Sequence, residues 1–177
     1  MASEANIQTA LKMLEENHIS SEHKAGIAAH IKPIALAYAL CELKKNNLLT
    51  SQNSNTLQAH LNPQRISSAL NAIGPKLATQ ENLNILFALK NLEFTEHGGY
   101  LFYRIPENKF SQSVFDEIIE LSKKTDSISQ INHYINQLLS KINPTDDSPK
   151  KHSTLFQPLT PSDSGITNNH PQNSFTP

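Results

Sequence analysis

The sequence predicts a mainly α-helical fold: stacked helix pairs, then a short β-hairpin and two closing helices, then a disordered C-terminal tail. Three observations lead there. A motif recurs with a period of about 30 residues, the mark of a repeat array. Before residue 142 the apolar side chains recur at spacings of three and four, which is helical. The 10 prolines divide into four that punctuate residues 1–142 and six that crowd into 143–177.

The repeat is clearest in two laps. One holds Ala39-Leu40, Leu49-Thr50-Ser51-Gln52-Asn53, Leu57-Gln58-Ala59-His60 and Asn62-Pro63. The next holds Ala69-Leu70, Leu77-Ala78-Thr79-Gln80-Glu81-Asn82 and Leu86-Phe87-Ala88-Leu89. A weaker lap precedes them, with Ala10-Leu11, Ile19-Ser20-Ser21-Glu22-His23, Ile27-Ala28-Ala29-His30 and Lys32-Pro33. About three laps result, aligned with single-residue gaps in the turns.

Each lap reads as two short helices. Pro33 and Pro63 suit the first helical position, where a missing N–H costs nothing. Asn62 is a good N-cap ahead of Pro63. Ile34, Ala37, Tyr38 and Cys41, with Leu36, Leu40 and Leu43 alongside, make one broad apolar face. The next copy runs Ile66, Ala69, Leu70 and Ile73, and Gly74-Pro75 stops it. The second helix of a lap opens at Ser20, Thr50 or Thr79, whose hydroxyls cap a first turn for about 1 kcal/mol relative to Ala. Leu57 and Ala59, or Leu83, Leu86 and Phe87, supply its buried side. Asn46-Asn47 and Gly74-Pro75-Lys76 make the tight turns. One such pair cannot bury its apolar face alone, so neighbouring pairs stack.

The pattern changes after residue 90. Two β-leaning runs flank His97-Gly98-Gly99, which predicts a hairpin near 93–105, ended by Pro106. A helix then opens near Ser113, with Asp116 three residues on as a variant capping box, and carries Val114, Phe115, Ile118, Ile119 and Leu121. A last helix opens at Asp126 or Ser127 and carries Ile128, Ile131, Ile135, Leu138, Leu139 and Ile142 until Asn143-Pro144 stops it. The folded domain is therefore 1–142. The remainder, 143–177, is polar and aperiodic, cannot bury enough surface to offset its ordering entropy, and reads as disordered.

Composition narrows the function classes. A net charge of -1 gives no general attraction to phosphate backbones or anionic lipid. One Cys allows no intramolecular disulfide, as in a reducing compartment. The sequence holds no apolar run long enough to span a membrane, no secretory signal peptide and no common lipidation signal. It also lacks a phosphate-binding loop, a dinucleotide fingerprint, a nucleophile elbow and a zinc-protease motif. No cofactor and no metal is expected. His18 and His23 lie near His30, but without the Cys or carboxylate spacing that a metal needs.

A few residues remain as candidates. His30 and His60 occupy equivalent places in successive laps. They either present a repeated binding position or fill the corner between helices, with a ring nitrogen bonded to a carbonyl. Alternation in a strand would place Tyr100, Phe102 and Arg104 on one face of the hairpin, open to a partner. Cys41 as a nucleophile would need a His and a carboxylate that nothing nearby supplies. Glu96-His97-Gly98-Gly99 is explained by turn chemistry.

The run Leu77-Ala78-Thr79-Gln80-Glu81-Asn82, together with Ala59-His60-Leu61-Asn62-Pro63 and Ser68-Ala69-Leu70, resembles the short helical repeats found among Dot/Icm type IV secretion effectors of intracellular pathogenic bacteria. The resemblance covers about residues 7–90. It implies a non-catalytic module that is secreted into a host cell and binds a host protein. It supplies no catalytic residues. Translocation signals of that system are polar, unstructured C-terminal segments with a hydrophobic residue near the third position from the end, where this chain has Phe175. The other expectations are a protein kept in the bacterial cytoplasm, a winged-helix-like nucleic-acid-binding regulator with 62–73 as recognition helix, or an enzyme of unrecognised chemistry. Arg65 is the one base on that recognition helix, which weighs against the second.

Overall fold

In a computed structural model of the chain, residues 2–89, 100–125 and 127–142 are described. Among them are nine α-helices and no strand. They are α1 (Glu4–Glu16), α2 (Lys24–Ala29, led in by a 3-10 turn at Ser21–His23), α3 (Pro33–Lys45), α4 (Ser51–Ala59), α5 (Pro63–Ile73), α6 (Gln80–Ala88), α7 (Tyr100–Arg104), α8 (Gln112–Lys124) and α9 (Ile128–Ile142).

The helices stack in two rows. The first helices of the laps pack side by side in the order α1, α3, α5, α7. Each packs on the second helix of its own lap: α1 on α2, α3 on α4, α5 on α6, α7 on α8. α9 packs against α7 and closes that end. The array therefore has four helix pairs, not about three, and α8 is the second helix of the fourth pair rather than a closing helix. Its cap shows the register. Ser20, Thr50, Thr79 and Ser111 each precede a second helix, and each hydroxyl accepts a backbone N–H of the first turn, from Glu22, Asn53, Asn82 and Val114. The cap of α8 is thus Ser111, not Ser113, and Asp116 takes part in no capping box. It accepts instead from Gln112 Nε2 at 2.9 Å.

The predicted hairpin is not borne out. Tyr100–Arg104 is the helix α7, and residues 94–99 lie outside the described residues. The aromatic and β-branched run that reads as a strand is one face of a short helix: Phe102 and Ile105, three apart, are both buried. Phe102 packs against Phe115 of α8 with ring centroids 6.2 Å apart and planes tilted by 47°, a favourable aromatic geometry. The tail 143–177 also lies outside the described residues.

The core runs through all four pairs. Ala10 and Leu14 come from α1, Leu36, Ala37, Leu40 and Leu43 from α3, Ile66, Ala69 and Leu70 from α5, and Phe115 and Ile118 from α8. Leu57 of α4 and Leu83 and Leu86 of α6 face the same core. Ala59 and Tyr38 do not: both are exposed, Tyr38 because its neighbours Ala37 and Ala39 are the residues turned inward on α3. The turns after α1 and α3 share one device. His18 and Asn47 adopt φ of 53° and 58°, and the next N–H, of Ile19 or Leu48, returns to Leu14 O or Leu43 O at 2.8 Å. That is a Schellman closure, completed by burial of Ile19 and Leu48. The third lap closes differently: Gly74 has φ 75° and ψ 169°, a conformation that favours glycine, and its N–H returns to Leu70 O at 3.2 Å.

Candidate binding surface

The second helices are joined by paired amides, a buried Asn on one side and an exposed Gln on the other. Asn53 of α4 and Gln80 of α6 exchange two hydrogen bonds: Asn53 Nδ2 donates to Gln80 Oε1 at 2.8 Å, and Gln80 Nε2 donates to Asn53 Oδ1 at 3.0 Å. Asn82 of α6 and Gln112 of α8 repeat the exchange at 3.1 and 3.0 Å. The other Nδ2 hydrogen goes to the carbonyl just before the cap, of Leu48 or Leu77. The other Nε2 hydrogen goes to the residue one turn on, Asn84 or Asp116. Every polar atom of the ladder is used, which is what burial of the Asn amides requires. The sequence shows these amides as polar first-turn residues, and only alignment of the laps reveals that they pair across them.

The first joint is built differently. Ser54 Oγ accepts from Gln58 Nε2 at 3.1 Å and shares a hydrogen bond of 2.8 Å with His23 Nδ1, whose direction follows the ring tautomer. His23 Nε2 lies 3.4 Å from Glu22 Oε1. A serine, a histidine and a carboxylate in a row invite a catalytic reading. Ser54 is 1% exposed, however, and it does not line the polar cleft of about 500 Å³ that His18, Glu22, His23, Lys44 and Thr50 border. A substrate cannot reach its oxygen. Lys44 in that cleft spends two donors on Asn17 O and His18 O, at 2.6 Å each.

His30 and His60 are buried at the corners between laps. His30 Nδ1 accepts the Lys32 N–H at 2.9 Å, and Nε2 donates to His60 O at 3.2 Å. His60 Nδ1 accepts the Asn62 N–H at 3.2 Å in the same way. Each ring stitches its own chain turn, and His30 also holds the next lap. These are corner residues, so they do not form an exposed binding face. Asn62 occupies the cap position of α5, but its side chain makes no cap bond and instead accepts from Lys32 Nζ. Tyr100 opens α7, Phe102 is fully buried and Arg104 is exposed, so the three do not share one exposed surface. Phe175 and the Glu96-His97-Gly98-Gly99 stretch lie outside the described residues. Cys41 is partly buried, and burial pushes its thiol up from the ordinary value, opposite to what a nucleophile needs.

What the row of first helices leaves open is a groove. It runs over α3, α5 and α7, has a volume of about 300 Å³, and is lined by Lys32, Ala35, Asn62, Gln64, Arg65, Ser68 and Tyr103. Among the described residues the lining carries two cations and no carboxylate. The four large hydrophobic side chains exposed among the described residues are Ile31 (60%), Tyr38 (55%), Leu61 (44%) and Tyr103 (53%). Tyr103 lines the groove, Ile31 precedes Lys32, Leu61 precedes Asn62, and Tyr38 is one helical turn from Ala35. Elsewhere, a cleft of about 500 Å³ between the α5–α6 turn and residues 107–110 holds Glu107 and Lys76 with Ile73 and Phe110. Among the described residues no group of three or more His, Cys, Asp or Glu could hold a metal, and no helix is long and apolar enough to cross a membrane. No protein-family model matches the chain, and no curated protein and no solved structure shows significant similarity to it.

Proposed function

We propose that this chain is a non-catalytic protein-interaction module, delivered by a bacterial type IV secretion system into a host cell, where it acts by binding a host protein. The observation that carries the binding part is the groove over α3, α5 and α7, which half-exposed Tyr103 lines. Stacked helix pairs present extended surfaces that suit a protein partner. The reactive side chains are spent on structure: Ser54 and His23 join two laps, His30 and His60 hold corners, and the Cys41 thiol is held protonated by burial. The delivery part rests on the repeat resemblance and on the polar segment 143–177 that carries Phe175.

The test has two arms. A fusion to a reporter enzyme that is active only in host cytosol is followed during infection, with wild-type bacteria and with bacteria lacking the secretion system. Signal that depends on the secretion system, and that falls with Phe175→Ser, supports delivery. Signal absent in both strains refutes it. In the second arm the purified full chain is used as bait, and a partner that binds at micromolar concentration or better supports the interaction role. Salt-dependent retardation of duplex DNA with no protein partner would replace it with a nucleic-acid function.

A further inference from the structure

We propose that copies of this chain join head to tail: the exposed pair Ile31 and Leu61 of one copy enters the cleft between the α5–α6 turn and residues 107–110 of the next. The inference goes beyond the host-protein reading above and does not rest on it.

The corners between laps hold the pair in place. His30 Nε2 donates to His60 O at 3.2 Å, and Lys32 Nζ donates to Asn62 Oδ1. The residues before and after Ile31 are thus bonded to the residues before and after Leu61, which sets the two side by side. Both stay in solvent, at 60% and 44% exposure. Single apolar side chains on a surface are ordinary. Two large aliphatic ones fixed next to each other make a patch whose burial is favourable.

The cleft offers the complement. It has a volume of about 500 Å³, room for both side chains, and Ile73, Pro75, Leu77 and Phe110 form its apolar part. Leu77 and Phe110 are only half-buried. Glu107 and Lys76 border it, and among the described residues neither has an ion-pair partner. The Glu107 carboxylate lies against Gly74, where an added Cβ would come within 2.9 Å of its Oε1. It therefore sits at the C-terminal end of α5, where the helix dipole disfavours an anion and favours a cation. Lys32 brings that cation with Ile31, since Asn62 takes only one of its three ammonium hydrogens.

The occupant is a second copy because one chain carries both halves at opposite ends of α5. The pair stands at the N-terminal end of that helix and the cleft at its C-terminal end, 11 residues or about 16 Å away. A copy displaced along the helix axis meets the cleft of its neighbour with its own corner. The two surfaces differ, so the contact is heterologous, and every added copy leaves one corner pair and one cleft open.

Sedimentation velocity of the full chain, from micromolar to millimolar concentration, tests this. The sedimentation coefficient is expected to rise with concentration and not to level off at a dimer. One variant carries Ile31→Asp with Leu61→Asp and loses the corner pair. Another carries Asn108→Arg, which obstructs the cleft that Asn108 borders. All three positions are exposed, and far-UV circular dichroism with a thermal scan verifies that each variant is folded. Each variant alone should self-associate at least about tenfold more weakly, since covering one aliphatic side chain is worth that much. The corner variant keeps its cleft and the cleft variant keeps its pair. An equimolar mixture should therefore form a one-to-one complex that neither forms alone and that grows no further. Lys32→Glu should weaken association, and mixing it with a Glu107→Lys copy should restore part of it. A monomer at every concentration overturns the proposal. So does a plateau at the dimer, which marks a two-fold contact, and so does a mixture of the two variants that forms no complex. None of these results bears on the groove over α3, α5 and α7, which the bait experiment reads separately.

Discussion

The third and fourth laps use one joint but differ in everything around it. Both second helices open on a hydroxyl cap, Thr79 or Ser111, and Asn82 of one pairs with Gln112 of the other. The first helix of the third lap, α5, has 11 residues, whereas α7 has five. At the third position of the second helix the third lap has Asn82 and the fourth has Val114. The joint therefore does not need a full first helix. It needs a cap, an amide at the first position to receive, and an amide at the third to offer. Val114 offers nothing, and there the ladder stops. α9 covers that end with Ile131, Ile135 and Leu138 instead.

The comparison is most open to attack through the core. Phe102 of α7 and Leu70 of α5 are both fully buried. If the short helix belongs to the array, Phe102→Ala should cost about 3–5 kcal/mol and Leu70→Ala about 2–5 kcal/mol. Both proteins should still unfold in one transition in urea, followed by circular dichroism. An early, separate transition in Phe102→Ala alone would make the fourth lap an appendage. Next comes the joint. Asn82→Ala removes both bonds between α6 and Gln112, which keeps only Asp116, and one of the two donors to the Leu77 carbonyl, which keeps the Thr79 N–H, so a loss of about 1–3 kcal/mol is expected from chemical denaturation. Gln112→Ala should cost less, because Asn82 keeps its bond to Leu77. The caps are smaller and should be equal: Thr79→Ala and Ser111→Ala at about 1 kcal/mol each, read as shifts in melting temperature. A Ser113→Ala change should be near neutral.

The smallest effect is chemical. The Cys41 thiol is raised by burial, so at neutral pH it holds less thiolate than a free thiol. Alkylation by iodoacetamide should be slower in the folded chain than in urea. Because the folded value lies above the unfolded one, the unfolded chain gives up its proton first as pH rises. Stability is thus unaffected below the ordinary thiol range and declines as pH climbs through it towards the folded value. A denaturation midpoint that stays flat across that range, or that rises only in Cys41→Ala, would locate the pH response elsewhere.

Much of this fold is legible in the chain itself. The Ala-Leu pairs, the hydroxyl caps, the Pro at the first helical turn and the polar turns are local signals, and each survives in the structure at Thr50, Thr79, Pro33, Pro63, Asn47 and Gly74. The fourth lap is not legible, for two reasons. A five-residue helix is too short to show a period, and Tyr100, Phe102, Tyr103 and Ile105 are residues that favour strands. Tertiary packing of Phe102 on Phe115 decides the matter against local preference. The candidate site is less legible still. His30 and His60 repeat, but repetition marks geometry as readily as binding, and both rings prove to be spent on backbone groups. The groove residues Lys32, Arg65 and Tyr103 come from three laps and carry no shared motif, so only the stacking of α3, α5 and α7 brings them together.

The Asn–Gln exchange has one more property. Each amide gives one hydrogen and takes one, so the two halves of a joint are chemically alike. Asn53 could face Gln112 as readily as Gln80, and Asn82 is already doing for the fourth lap what Asn53 does for the third. Nothing in such a coupling counts the laps. A stretch of coding sequence duplicated or excised in units of one lap would find the same connector waiting on either side, and the chain would lengthen or shorten without a new interface having to be invented. The terminus is marked by a single apolar substitution, the valine at 114.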